Sequence, residues 1–161
     1  MEVSNYRGDM NINYIEYSIA TKSLDIFFAG CNNKCKDCCN PELMSFDNGT
    51  DYVTWFPKLD HYLEEYKLLI KNVFLEGGSP NHQNEEDMTI FLEGLKKRCK
   101  GIKIFLFCGE ELVNVKPVFK EYCDFIKVGA YIPELITNNN IQYGIKLATS
   151  NQKILEKGKD Y

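Results

Sequence analysis

The sequence has no apolar run approaching the ~20 residues that span a bilayer, so no membrane association is expected. Its 19 Lys and Arg are dispersed among 23 Asp and Glu, for a net charge of −4. Without a long basic run, a nucleic-acid surface is not expected either. Met1 to Asp9 is polar and lacks the apolar core of an export signal. No internal repeat or low-complexity tract interrupts the chain. With these classes set aside, 44% apolar and 13% aromatic content over 161 residues describes a globular protein. Residues 1–161 read as a single domain, long enough to bury a real core. Seven cysteines without an export signal point to a reducing compartment, the cytoplasm, where close spacing means metal more often than disulfide.

Three of those cysteines organise the reading. Cys31, Cys35 and Cys38 stand as C-x3-C-x2-C directly after the apolar run Leu24 to Phe28, which is bounded by Gly30. Such a run reads as a buried strand, so the cysteines sit on the loop leaving its C-terminal end. A closed structural site takes four protein ligands, whereas three thiolates leave one corner open for chemistry. That arrangement reads as a [4Fe-4S] cluster whose fourth iron binds a small molecule. Zinc ligation, disulfide pairing or plain burial are the alternatives. Cys39 also offers the register C-x3-C-x3-C with Cys31 and Cys35, so counting alone does not fix the third ligand. Cys99, Cys108 and Cys123 follow or interrupt apolar segments and read as buried structural thiols.

Along the chain, Asn11 to Ser18 reads as an edge strand or extended arm and Leu24 to Phe28 as the first core strand. Asn48-Gly49 marks a turn. Leu59, Tyr62, Leu63, Tyr66, Leu69 and Ile70 recur at helical spacing after Pro57, with His61 beside that stripe as a surface residue. Asn72 to Leu75 reads as a second strand ending at Glu76-Gly77-Gly78-Ser79-Pro80. The next helix has Asn84 as its cap, Asp87 completing a box, and Met88, Phe91, Leu92 and Leu95 as its buried face. Ile102 to Phe107 reads as a third strand, Glu110 to Tyr122 as a helical segment broken by Pro117, Asp124 to Val128 as a fourth strand and Gln142 to Leu147 as a fifth. Strands alternating with helices predict βαβ units and a mostly parallel sheet, an α/β fold. Gly77 and Gly78, lacking Cβ, let backbone approach a ligand; an ordinary strand-to-helix turn is the plainer reading.

The C-x3-C-x2-C loop resembles the signature of the radical S-adenosylmethionine (SAM) superfamily. Further segments, in order, resemble the anaerobic ribonucleoside-triphosphate reductase activating proteins: Leu75-Glu76-Gly77-Gly78-Ser79-Pro80 with His82 and Asn84, Lys127-Val128-Gly129 with Tyr131, and Ser150-Asn151-Gln152. The resemblance implies an open, partial (β/α) barrel of radical SAM type with its active site at the C-terminal ends of the strands. It implies that Cys31, Cys35 and Cys38 hold the cluster and carry the catalysis, and that Asp37, Cys38, Cys39, Gly77, Gly78 and Ser79 contact SAM. Ser79 occupies the position where the family's Gly-Gly-acid-Pro motif carries its acid, with Glu76 before the glycines. The implied reaction is one-electron cleavage of SAM to methionine and a 5′-deoxyadenosyl radical, which takes hydrogen from a glycine of the reductase. A flavodoxin or ferredoxin is the expected reductant.

Overall fold

A computed structural model describes residues 9–32 and 41–161. Its strands and helices run β1 (Asn11–Ser18), β2 (Ser23–Phe28), β3 (Thr50–Asp51), α1 (Phe56–Glu65), β4 (Asn72–Gly77), α2 (Glu85–Arg98), β5 (Lys103–Phe107), α3 (Pro117–Tyr122), β6 (Phe125–Val128), β7 (Ile141–Gln142), β8 (Ile145–Lys146) and β9 (Lys153–Glu156). Seven strands form one sheet in the order β3-β1-β2-β4-β5-β6-β9, and β7-β8 is a separate hairpin. Strands β2, β4, β5 and β6 are parallel neighbours. The flanking strands β1, β3 and β9 run antiparallel to their partners.

Each parallel pair is joined through a helix, and each crossover advances one position across the sheet. Crossovers of one hand then bring all three helices to one face. The main core confirms this packing: Leu59 of α1, Met88, Phe91, Leu92 and Leu95 of α2, and Phe119 of α3 bury against Leu24, Ile26, Val73, Leu75, Ile104, Leu106 and Ile126. Because side chains alternate along a strand, the intervening residues line the opposite face. There Phe74 and Phe105 meet Leu147 and Ile154, with Phe107, Phe125 and Ile145 alongside. The α/β fold and largely parallel sheet expected from the sequence are present.

Asn84 caps α2 as expected, its side chain accepting the Asp87 N–H at 3.0 Å. The Asp87 carboxylate takes the Asp9 N–H at 2.7 Å, tying the start of the described chain to this helix. Three expectations are corrected. Helix α1 stops at Glu65 although the apolar spacing continues to Ile70. Leu68 and Leu69 are exposed, and Ile70 is buried on the approach to β4. Pro117 begins α3 instead of breaking a helix, since the first helical position needs no amide hydrogen. Residues 142–147 do not add a strand to the main sheet. They belong to the β7-β8 hairpin, turned by Tyr143 and Gly144, both at positive φ (51° and 75°) as a tight two-residue turn requires. The closing strand is instead β9, whose four residues, Lys153–Glu156, carry charge at both ends and only two apolar residues between.

Candidate functional site

Parallel strands deliver their C-terminal ends to one edge of the sheet, and the chemistry-bearing segments gather there. The cysteine loop leaves β2, Gly77-Gly78 ends β4, Cys108 and Glu110 follow β5, and Gly129 follows β6. Cys31 is the one cysteine of the C-x3-C-x2-C motif within the described residues; Cys35, Asp37, Cys38 and Cys39 lie outside them.

The backbone around Cys31 is anchored residue by residue. Ala29 N–H donates to Asn11 O at 3.0 Å, Gly30 N–H to Leu43 O at 2.8 Å, and Cys31 N–H to Met44 O at 3.2 Å. Gly30 adopts φ +107°, and a Cβ there would collide with the Phe46 ring. From β4's exit, Gly78 N–H donates to Phe28 O (2.8 Å) and Ser79 N–H to Gly30 O (2.9 Å). The Gln83 side-chain amide, buried, donates to the carbonyls of Ala29, Gly30 and Ser79 at 3.0, 3.1 and 3.0 Å. On the far side of Cys31, Asn32 N–H donates to His82 Nδ1 at 2.9 Å. The short 3-10 turn Pro80–His82 and the residue after it therefore grip the chain on both sides of the first cysteine.

That geometry gives Gly77 and Gly78 a packing role of their own. A Cβ on Gly78 would lie 2.5 Å from Leu43 O and 2.6 Å from Gly30 O, and one on Gly77 (φ +110°) would lie 2.6 Å from Phe28 N. The glycine pair is packed against backbone on both flanks of the cysteine motif, Phe27, Phe28 and Gly30 before it and Leu43 after it. Ser79 Oγ is buried with no hydrogen-bond partner among the described residues. A buried hydroxyl left unsatisfied costs free energy, so this side chain is positioned to serve a polar group in the site.

His82 Nε2 contacts Glu110 Oε1, and the Cys108 thiol donates to Glu110 Oε2 at 2.7 Å. Burial opposes ionisation of Glu110, but the hydrogen bonds from Cys108 and His82 outweigh it and hold the carboxyl below its ordinary value. Lys127 Nζ donates to Cys108 O (3.2 Å) and Gly129 O (2.8 Å). The Ser150-Asn151-Gln152 motif closes against the same edge: Asn151 donates to Ala130 O at 2.9 Å, and the Gln152 amide to Gly129 O at 3.5 Å. Gln83 and Glu110 carry no signal in the sequence spacing. Glu110's place just past β5, on the strand-end edge, is the one clue that finds it.

The setting of Cys31 fits a cluster ligand. Cys99, Cys108 and Cys123 are buried as expected, and burial pushes their thiols up, Cys99 to about 12. Cys31 is instead partly exposed at the strand-end edge, the setting in which a thiolate can ligate iron. Among the described residues no group of three His, Cys, Asp or Glu side chains forms a metal site elsewhere, and no helix is long and apolar enough to cross a membrane.

Glu76 lies on the sheet face opposite the helices, where burial first and then the Asp25 and Glu16 carboxylates raise it to about 8 from an ordinary 4.5. Asp25 is raised in the same direction, chiefly by burial, with the Ser23 hydrogen bond opposing. The folded protein thus holds a proton on Glu76 between pH 4.5 and 8 that the unfolded chain releases. Stability falls as pH rises through that window. Glu76→Gln is expected to flatten this slope and to raise the iron-free protein's unfolding free energy at pH 8 by on the order of 2 kcal/mol. Urea unfolding at pH 5 and pH 8 measures it; equal slopes in both proteins would contradict it.

A family model described as a 4Fe-4S single cluster domain matches residues 22–155, from the start of β2 into β9. No curated protein matches the chain.

Proposed function

Because the chain belongs to the 4Fe-4S single cluster domain family, we propose that it is a radical SAM activating enzyme that generates a glycyl radical on an anaerobic ribonucleoside-triphosphate reductase. The observation that carries this reading is the convergence on one sheet edge of the cysteine loop, the Gly77-Gly78-Ser79 turn and Gly129 with its Ser150-Asn151-Gln152 partner segment. A plain iron–sulfur module has no need of the second and third. In this proposal the sheet is the wall of an open, partial (β/α) barrel.

Cys31, Cys35 and Cys38 would hold the cluster, with SAM received by Asp37, Cys38, Cys39, Gly77, Gly78 and Ser79. Bound together, the two cofactors supply reductive cleavage of the sulfonium C–S bond, at the low end of the roughly −700 to +450 mV range of such clusters. This chain's own residues position and exclude water. Gln83 and His82 fix the backbone beside Cys31, the glycine pair admits neighbouring backbone where side chains would not fit, and the Ser79 hydroxyl, unpartnered among the described residues, is available to a polar group of the bound cofactor. A large protein substrate would cover the open side of so small a barrel and keep competing hydrogen donors from the reacting carbon. The enzyme would work in the cytoplasm, with a flavodoxin or ferredoxin supplying the electron.

Anaerobic reconstitution followed by assay with SAM, dithionite and a reductase from the same source tests the proposal. The protein alone is expected to release 5′-deoxyadenosine slowly. The mixture is expected to show a glycyl doublet by electron paramagnetic resonance, lost without SAM or with Cys35→Ala. A reconstituted cluster that cleaves SAM with no doublet would favour a small-molecule substrate. A cluster that cleaves no SAM would leave an electron-transfer or structural module.

A further inference from the structure

We propose that His82 is a positioning residue for the cluster loop, holding the peptide that follows Cys31 through its Nδ1 lone pair, with Glu110 fixing the ring tautomer that makes this possible. The inference rests on the iron–sulfur reading above and concerns residues that the cysteine motif does not contain.

Asn32 N–H donates to His82 Nδ1 at 2.9 Å, so that nitrogen carries no proton. The ring's one hydrogen is then on Nε2, which faces Glu110 Oε1. A carboxylate accepts and does not donate, so it selects this tautomer over the other. Glu110 is itself oriented: its second oxygen takes the Cys108 S–H at 2.7 Å, its N–H donates to Cys108 Sγ at 3.4 Å, and its carbonyl accepts the Gly129 N–H at 3.1 Å. His82 and Glu110 side chains are 13% and 18% exposed, shielded enough for these bonds to hold their directions. The result is a chain of fixed donors and acceptors from the end of β5, through the β4 exit, to the residue after Cys31. Partners that orient a metal's ligands in this way are typically worth about 10- to 100-fold in metal affinity. Hydrogen bonds near a cluster's sulfurs also tune its potential.

Two substitutions separate this role from space-filling. Asparagine places its amide oxygen near the Nδ1 position, while glutamine reaches toward Nε2 and is closer to histidine in volume. His82→Asn is therefore expected to hold Asn32 and behave like the wild type. His82→Gln is expected to lose iron to a chelator about 10-fold faster, with a shifted cluster midpoint potential. In the iron-free proteins, exchange of the Asn32 amide hydrogen, read by nuclear magnetic resonance, should be about 10-fold faster in His82→Gln alone. That second readout does not depend on the cluster. The opposite order, with glutamine like the wild type and asparagine impaired, would make His82 a packing residue and overturn the proposal, as would two variants that both match the wild type. A wild-type protein that takes up no iron would overturn the iron–sulfur reading and this assignment together, whereas a normal wild-type cluster with the order reversed overturns this assignment alone.

Discussion

Alanine at Cys31, Cys35 or Cys38, one at a time, is expected to abolish the iron–sulfur absorbance of anaerobically reconstituted protein, while Cys39→Ala keeps it. A cluster with three protein ligands cannot spare one, because the lost thiolate leaves a second iron open to solvent and chelation. Cys39 is expected to be dispensable because neighbouring residues rarely aim both side chains at one metal centre. Cys31→Ala should leave the fold intact. The side chain is partly exposed, and the backbone of residues 29–32 is held by main-chain and side-chain bonds from Asn11, Leu43, Met44, His82 and Gln83. Cys123→Ala, in the main core on the helix side of the sheet, should keep its cluster and serves as the control. Loss of absorbance in Cys39→Ala with retention in Cys38→Ala would move the third ligand to the C-x3-C-x3-C register.

Gly78→Val is expected to lower the unfolding free energy by about 3 kcal/mol and to lose cluster assembly with it. The added Cβ would stand 2.5 Å from Leu43 O and 2.6 Å from Gly30 O. Both are backbone atoms in hydrogen-bonded segments, so neither can swing aside like a side-chain tip. Relief requires parting β4's exit from the cysteine loop, at the expense of the Gly78–Phe28 and Ser79–Gly30 bonds. For a domain of this size, that cost lowers the melting temperature by about 6–12 °C. Gly101→Ala is the matched comparison, with no heavy atom within 4 Å of its Cβ and only its φ of +76° to strain it, at about 1 kcal/mol. A Gly78→Val protein that melts with the wild type and takes up iron normally would show that the loop does not rest on this glycine.

The parts of the fold that the sequence disclosed are those whose burial imposes a period or a run. β2, β4 and β5 read as strands because they are covered on both faces, and Met88, Phe91, Leu92 and Leu95 read as a stripe because α2 packs on one side only. β9 escaped notice because an antiparallel edge strand of four residues buries just one side chain fully, Ile154. Residues 142–147 drew attention through alternation that in fact belongs to a hairpin, whose Tyr143-Gly144 turn lacks the usual Asn-Gly signal. At the candidate site, the cysteine motif and the glycine pair stand out by spacing, and Cys31, Gly77 and Gly78 lie together at the strand-end edge. Gln83 does not stand out, since an amide that clamps three carbonyls leaves no periodic trace. His82 was visible as a position, but its pairing with Glu110 spans 28 residues and two strand ends, a closeness that only the folded sheet creates.

The clamp around Cys31 also bears on the thermodynamics of metallation. In a zinc finger the metal's binding free energy is consumed in folding the chain, so the apo form is unfolded. Under the proposed assignment Cys31 would be the first ligand, and its backbone is already immobilised by bonds from β4's exit, α2's approach and the Leu43–Met44 segment. The conformational entropy of ordering that residue, about 1–2 kcal/mol for its backbone, is met by the polypeptide's own folding. Iron would then meet a first ligand whose backbone is already placed, so that part of the ordering cost would not fall on metallation. Loss of a cluster held there would leave the Cys31 backbone in place, with its share of the ordering already done for reassembly.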